Sequence, residues 1–275
     1  MTRNFNDQAR PPPVSARDHQ KALVKLITEL SYRHSQWQVF SDFVEMGALS
    51  ISNAVDLAQC EKREARYMEI VKRYKPDELA KFPEMLALLT LALDEEMDDV
   101  LGRTFHDLEL HNKWSGQFFT PYHLCRMMAK MTLADNVEAR IEERGFVSAM
   151  EPAAGSGAMV IALAQEMRDA GINYQRHLHI TAVDVDPKCV HMAYLQFALL
   201  HIPAIIIHGN SLSLEEYGHW YTPAHIMDGW KWKLRRQPAG THEIERPPET
   251  PPAPAELRQD RKDDARLGPS QLTLF

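Results

Sequence analysis

Apolar residues recur at helical spacing through the first hundred positions, then change to short continuous runs beyond residue 145. Leu23, Leu26, Ile27 and Leu30 fall on one stripe, and Ser15 stands where a capping hydroxyl would start the helix that carries them. Trp37, Val39, Phe40, Phe43, Val44 and Leu49 make a second apolar segment. A third helix is expected over about 57–74, a new start at Pro76-Asp77-Glu78, and a buried helix over 85–93. Glu61, Lys62, Arg63, Glu64 and Arg66 read as a solvated face. The acidic group Asp94, Glu95, Glu96, Asp98 and Asp99 reads as an exposed helical face near a turn, because carboxylates without histidines at ligand spacing specify no metal geometry.

The later runs alternate between strand and helix. A strand over 146–150 leads into Glu151-Pro152-Ala153-Ala154-Gly155-Ser156-Gly157 and a helix over 158–167. A second strand over 179–185 ends at Val183-Asp184-Val185-Asp186-Pro187, with a helix following at once. A third, over 204–208, is closed by Gly209-Asn210-Ser211. This order predicts an α/β fold with a parallel, doubly wound sheet that binds its ligand at the C-terminal ends of the strands. Glycines at the first turn let backbone approach a ligand closely, and the next helix presents free N–H groups. Glu151 at the strand end suits a ligand with ammonium or hydroxyl groups better than a pyrophosphate. Asp184, just past the second strand, stands where ribose hydroxyls are held in nucleotide-binding α/β folds. Upstream, Gly116-Gln117-Phe118-Phe119-Thr120-Pro121 sets two aromatics before a helix, with Thr120 as N-cap and Pro121 as first helical residue. That helix start suits a free carboxylate on the same nucleoside-plus-amino-acid ligand.

Composition narrows the setting. With 275 residues, 44% of them apolar, the chain holds enough for a substantial core. A net charge of −7 leaves any DNA contact to a local basic face or a partner. Cys60, Cys125 and Cys189 are odd in number and widely spaced, which fits reduced thiols in a cytoplasm rather than a disulfide frame or zinc site. No run approaches a membrane span, so a soluble, cytoplasmic protein is expected. His177 and His179 lack a third metal ligand and read as satisfied polar edge residues.

Taken together, GQFFTP, the glycine turn, Asp184 and Asn210 resemble the bacterial DNA adenine amino-methyltransferases, most closely the modification subunits of type I restriction systems. The likeness covers about residues 60–215. It implies S-adenosylmethionine as cofactor and the N6 amino group of adenine in DNA as methyl acceptor. Phe118, Phe119 and Thr120 would contact the methionine part, Glu151, Gly155 and Gly157 its middle, Asp184 the ribose and Asn210 the adenine ring. Glu151 and Asn210 stand where the family usually has Asp. The Asn/Asp-Pro-Pro-aromatic segment with which such enzymes hold a flipped adenine is not found. Thr222-Pro223-Ala224-His225 lies about where it should fall, so Thr222, Pro223 and His225 form either a degenerate catalytic loop or a structural turn. The alternative to an enzyme is a catalytically defective accessory, regulatory or antirestriction protein that binds cofactor, DNA or both. A recognition sequence would need a separate specificity subunit.

Residues 1–14 read as a disordered arm, 15–113 as a helical domain, 114–236 as an incomplete Rossmann-like, cofactor-binding domain, and 237–275 as a disordered proline-rich tail. The alternation from Gly229 to Arg235 suits an edge strand with Trp230, Trp232 and Leu234 inward. Its basic face, Lys231, Lys233, Arg235 and Arg236, serves either DNA phosphates or edge protection. Self-association or the N-terminal helices are expected to cover the open sheet. The tail ends in Gln271-Leu272-Thr273-Leu274-Phe275, which resembles the docking peptide of bacterial sliding-clamp partners through Gln271, Leu272, Leu274 and Phe275.

Overall fold

A computed structural model describes residues 15–109, 119–133 and 137–235. The chain opens with α1 (Ala16–Leu30), started by a capping box in which Ser15 Oγ accepts from the Asp18 N–H and Asp18 accepts from the Ser15 N–H. Leu23, Ile27 and Leu30 point into the core, as their spacing predicts. Helices α2 (Gln36–Val55), α3 (Cys60–Val71), α4 (Pro76–Leu79), α5 (Lys81–Glu95) and α6 (Val100–Asp107) follow. The apolar faces of α1, α2, α5 and α6 meet around Phe40, Phe43, Met85, Leu89 and Phe105.

The second half comprises α7 (Tyr122–Leu133), α8 (Val137–Arg144), β1 (Val147–Glu151), α9 (Ala158–Asp169), α10 (Tyr174–His177), β2 (Leu178–Asp184), α11 (Pro187–Leu199), β3 (Ala204–Asn210) and β4 (Glu215–Tyr221). Two short helices complete the described chain, α12 (Pro223–Met227) and α13 (Trp230–Arg235). Strand order is β1-β2-β3-β4; β1, β2 and β3 run parallel and β4 returns antiparallel to β3. The expected parallel sheet is therefore mixed, though mostly parallel. A short turn after Asn210 can only return the chain antiparallel, since a parallel partner would need a crossover connection.

Leu178, Ile180, Ala182 and Ile206 pack on Ile161 of α9 and on Val190, Ala193 and Phe197 of α11. Helix α11 also turns Met192 and Leu195 toward the helical layer. It is thus apolar nearly all round, the pattern of a helix buried between two layers. The described residues lie within one compact unit, Met1–Gln237.

The opposite sheet face is met by α12 and α13, where Trp230 packs edge-on to Phe146 at 5.1 Å and lies 5.2 Å from the His179 ring. Here the sequence expectation fails. Residues 230–235 form a helix, not an edge strand, and Trp232 is 64% exposed while Trp230 is buried. Gly229 at φ +69° turns the chain into this helix, where residues two apart point in widely different directions. The alternating basic residues consequently do not form one row: Lys233 lies over the Trp230 ring at 4.2 Å, away from Lys231 and Arg235, and Arg235 is near Trp232. Arg236 and the C-terminal pentapeptide lie outside the described residues. Among the described residues β1 is an edge strand, and Met150 on it is 65% exposed. No described helix is long and apolar enough to cross a membrane.

Candidate functional site

The parallel register sets Glu151 beside Ala182, so the carboxyls of Glu151 and Asp184 stand at the C-terminal ends of adjacent strands. Between them the chain after β1 doubles back. The Ala154 N–H donates to the Val183 carbonyl, the Gly157 N–H to the Ala154 carbonyl, and the Gly155 N–H to Asp184 Oδ2 at 2.7 Å. Gly155 and Gly157 adopt φ +54° and +97°, which side chains with a Cβ rarely adopt. Space adds to the requirement: a Cβ at Gly157 would fall 2.5 Å from the Phe197 ring, and one at Gly155 would fall 3.1 Å from Phe119. Gly157 then caps α9, so the turn and the helix start form one cradle.

This cradle opens on a cavity of about 260 Å³ lined by Phe119, Thr120, Cys125, Gly155, Asp184 and Cys189, among others. Burial raises the pKa of Asp184 despite the N–H bonds from Asp186 and Gly155; burial, then the charge of Asp184, raises that of Glu151. Glu151 accepts from the Ala153 N–H at 3.2 Å. Both carboxyls thus stand where an ammonium or hydroxyl donor would stabilise their ionised forms. Burial also raises the Cys125 thiol, to about 11, and the Cys189 thiol, so both lining sulfurs are protonated at neutral pH.

Phe119 and Thr120 line the cavity as the sequence suggested; Phe118 lies outside the described residues. Helix α7 begins one residue later than expected, at Tyr122, and it is the Pro121 carbonyl that accepts from the Cys125 N–H. Asn210 sits at the end of β3, but its side-chain carbonyl accepts from the Leu212 and Ser213 N–H groups, so that acceptor is occupied by its own turn. Asn210, Glu151 and Gly157 are not among the residues lining the cavity, although Glu151 and Gly157 flank the turn that does.

The candidate catalytic segment is not brought to the site. Because β4 is antiparallel, Tyr221 pairs with Ile205 and the Thr222 N–H donates to Ala204, at the beginning of β3. Thr222, Pro223 and His225 therefore stand at the opposite end of the sheet from Asp184 and Asn210, about 20 Å along a strand of this length. The Thr222 hydroxyl caps α12, accepts from the Ala204 N–H at 2.9 Å and donates to the Ile202 carbonyl at 2.9 Å. His225 bonds His179 in a buried pair at 2.9 Å, and the His177 ring bonds the Gly145 carbonyl. Among the described residues there is no group of three or more His, Cys, Asp or Glu side chains placed to hold a metal ion.

A contact to the glycine turn that the sequence reading missed lies in the acidic group. Asp98 and Asp99 are buried, not exposed. Asp98 pairs with Arg103 at 2.6 Å, and Asp99 caps α6 and accepts from Ser156 of the glycine turn. The available signal was an N-cap residue directly before the apolar pair Val100-Leu101.

Residues 98–229 match the family model described as N-6 DNA Methylase. No curated protein matches the chain significantly. Among solved structures, a class I S-adenosylmethionine-dependent methyltransferase from Listeria monocytogenes is similar at 14% identity, with 72% of this chain and 54% of that one covered and a TM-score of 0.43. A DrdV–DNA complex is similar at 13% identity over 81% of this chain and 25% of that one, with a TM-score of 0.37. The chain thus spans about half of the first and a quarter of the second. The family match implies S-adenosylmethionine as the cofactor, and the donor set fits it: the Asp184 carboxyl on the cavity and Glu151 at the adjacent strand end as acceptors for ammonium and hydroxyls, a helix start for a carboxylate, and, among the described lining residues, no cationic side chain that would clamp phosphates.

Proposed function

We infer, from the match of residues 98–229 to the N-6 DNA methylase family, that the chain binds S-adenosylmethionine in the Glu151–Asp184 cradle and transfers its methyl group to the amino group of adenine in DNA. The observation that carries the reading is the bond from the Gly155 N–H to Asp184, with Phe119 packed over the same glycine. When bound, the cofactor supplies an electrophilic methyl group on a sulfonium. Glu151 and Asp184 accept from the ligand's ammonium and hydroxyl groups, the first turn of α7 receives its carboxylate, and Phe119 keeps water from the cradle. Glycines at 155 and 157 hold these groups ready without rearrangement.

The placement of Thr222 and His225 at the far end of the sheet favours a second reading, an accessory or antirestriction protein that binds cofactor without turning it over. DNA, a separate specificity subunit and the sliding clamp are the partners proposed under either reading. Helix α13 is the proposed DNA contact, through Lys231 and Arg235, which lie one turn apart. Calorimetric titration of S-adenosylmethionine, followed by tritiated methyl transfer to unmodified bacterial DNA, separates the two readings. Gly155→Asp serves as the control. Binding with transfer supports the enzyme; binding without transfer supports the accessory protein; no binding overturns both the enzyme and the assignment of the cofactor site.

A further inference from the structure

The glycine turn is held from outside its own sheet. Asp99, the N-cap of α6, is 4% exposed, and its two carboxylate oxygens serve different elements. Oδ2 accepts from Ser156 Oγ at 2.5 Å, while Oδ1 accepts from the Gly102 N–H at 2.9 Å and from Gln196 Nε2 at 3.0 Å. The fully buried Gln196 of α11 completes the ring: its Nε2 also donates to the Ser156 carbonyl at 2.8 Å, and its Oε1 accepts from the Leu101 N–H at 3.0 Å. Ser156 is thereby gripped at both hydroxyl and carbonyl, between the two glycines that form the cradle.

Two further features show that α6 is shaped for this contact. A Cβ at Gly102 would fall 1.9 Å from Asp99 Oδ2 and 2.8 Å from Ser156 Oγ, so only glycine leaves room for the carboxylate to reach the turn. One turn further along, the Phe105 ring meets Phe119 edge-on at 5.2 Å, on the cavity's other wall. One short helix therefore touches both the floor and the lid of the site.

We propose that Asp99 is a positioning residue for cofactor binding: through Ser156 and Gln196 it fixes the glycine turn, and α6 couples that turn to Phe119. The proposal rests on the S-adenosylmethionine reading of the cavity. The network is made wholly of this chain's own groups and touches the turn that would bind the ligand, so its loss should appear in cofactor affinity.

The test uses the full chain and titrates S-adenosylmethionine calorimetrically into wild type, Asp99→Ala, Ser156→Ala, the double variant and Gly102→Ala, with thermal unfolding of each. Expected is about tenfold or greater loss of affinity in each single variant, with the double variant no weaker than Asp99→Ala alone, because the two side chains act as one contact. Gly102→Ala provides the discriminating readout. Its Cβ displaces the Asp99 carboxylate from Ser156, so affinity per folded molecule, measured well below each variant's unfolding midpoint, falls if Asp99 positions the turn and is unchanged if Asp99 only stabilises the fold. Unchanged affinity in the variants beside a binding wild type overturns the proposal alone. Independent, additive losses in the double variant overturn the coupling through Ser156. A wild type that does not bind overturns the cavity assignment and this proposal with it.

Discussion

The Gly155 N–H donates to Asp184 Oδ2 at 2.7 Å, which ties the turn after β1 to the end of β2. The other carboxylate oxygen accepts from the Asp186 N–H at 2.9 Å, so one side chain orders both the turn and the approach to α11. Asp184→Ala removes both acceptors. Expected is a loss of S-adenosylmethionine affinity of about 10- to 100-fold, with Asp184→Asn intermediate because its amide oxygen preserves one of the bonds. Calorimetric titration of both variants checks the order; equal affinity for Asp184→Ala and wild type would exclude Asp184 from the cofactor site.

Gly157 is constrained twice, by φ +97° and by Phe197 at 2.5 Å from any Cβ. Gly157→Ala should therefore destabilise the fold by about 2 kcal/mol or more, from backbone strain and overpacking together. Urea unfolding should show a lower midpoint at unchanged m-value. Gly145, also at positive φ but with no atom within 4 Å of a built Cβ, should tolerate alanine better, since only the backbone cost applies.

The parts of this molecule set by local pattern were legible in the sequence. Ser15 caps α1, the runs before Glu151 and Asp184 are strands, and the glycine turn sits between β1 and α9. What was not legible depended on partners distant along the chain. Asp99 looks like one more surface acid until Ser156, 57 residues away, is folded onto it. The segment from Gly229 to Arg235 alternates like a strand, but Trp230 finds Phe146 and His179, and a helix satisfies that single contact while leaving Trp232 outside. Thr222 falls at a plausible sequence distance for a catalytic loop, yet strand direction, which spacing does not encode, carries it to the wrong end of the sheet.

The His179–His225 pair makes stability depend on pH. Burial first, and then His225, pushes His179 down to about 3; burial first, and then the Lys231 charge, pushes His225 down to about 4. Tyr221 stacks on His225 at 5.2 Å and Trp230 lies against His179, so neither neighbour supplies an anion to hold an added proton. Unfolded imidazoles take up protons near about pH 6.5, whereas the folded pair stays neutral well below that. Below about pH 6.5 the unfolded chain binds more protons, so this contribution to stability, fully present above that pH, declines toward about pH 4. Each imidazole contributes a slope approaching about 1.4 kcal/mol per pH unit in that window. Denaturant unfolding of wild type and His225→Gln at several pH values should show a shallower acid decline in the variant; parallel curves would rule the pair out as the source.

The C-terminal residues Gln271, Leu272, Leu274 and Phe275 resemble, in sequence, a peptide that docks on the bacterial sliding clamp. A peptide of residues 266–275 is expected to bind purified bacterial sliding clamp, and the combined Leu274→Ala and Phe275→Ala changes to abolish that binding. Fluorescence anisotropy with labelled peptide measures both. No binding at high micromolar clamp removes the assignment.

Thr222 separates structure from chemistry most cleanly. Its hydroxyl is fully buried, donates to the Ile202 carbonyl, and accepts from the Ala204 N–H and, at 3.4 Å, from the His225 N–H. Thr222→Val keeps the shape and removes every one of these bonds, leaving buried backbone groups of β3 and α12 unpaired. The expected cost is about 1–3 kcal/mol of stability, read as a lower unfolding midpoint. Because the residue stands at the opposite end of the sheet from Asp184, S-adenosylmethionine affinity and any methyl transfer per folded molecule should match wild type. A variant that remains folded and binds cofactor normally, yet loses transfer entirely, would return Thr222 to the catalytic site and require the far end of β4 to approach the substrate in the DNA complex.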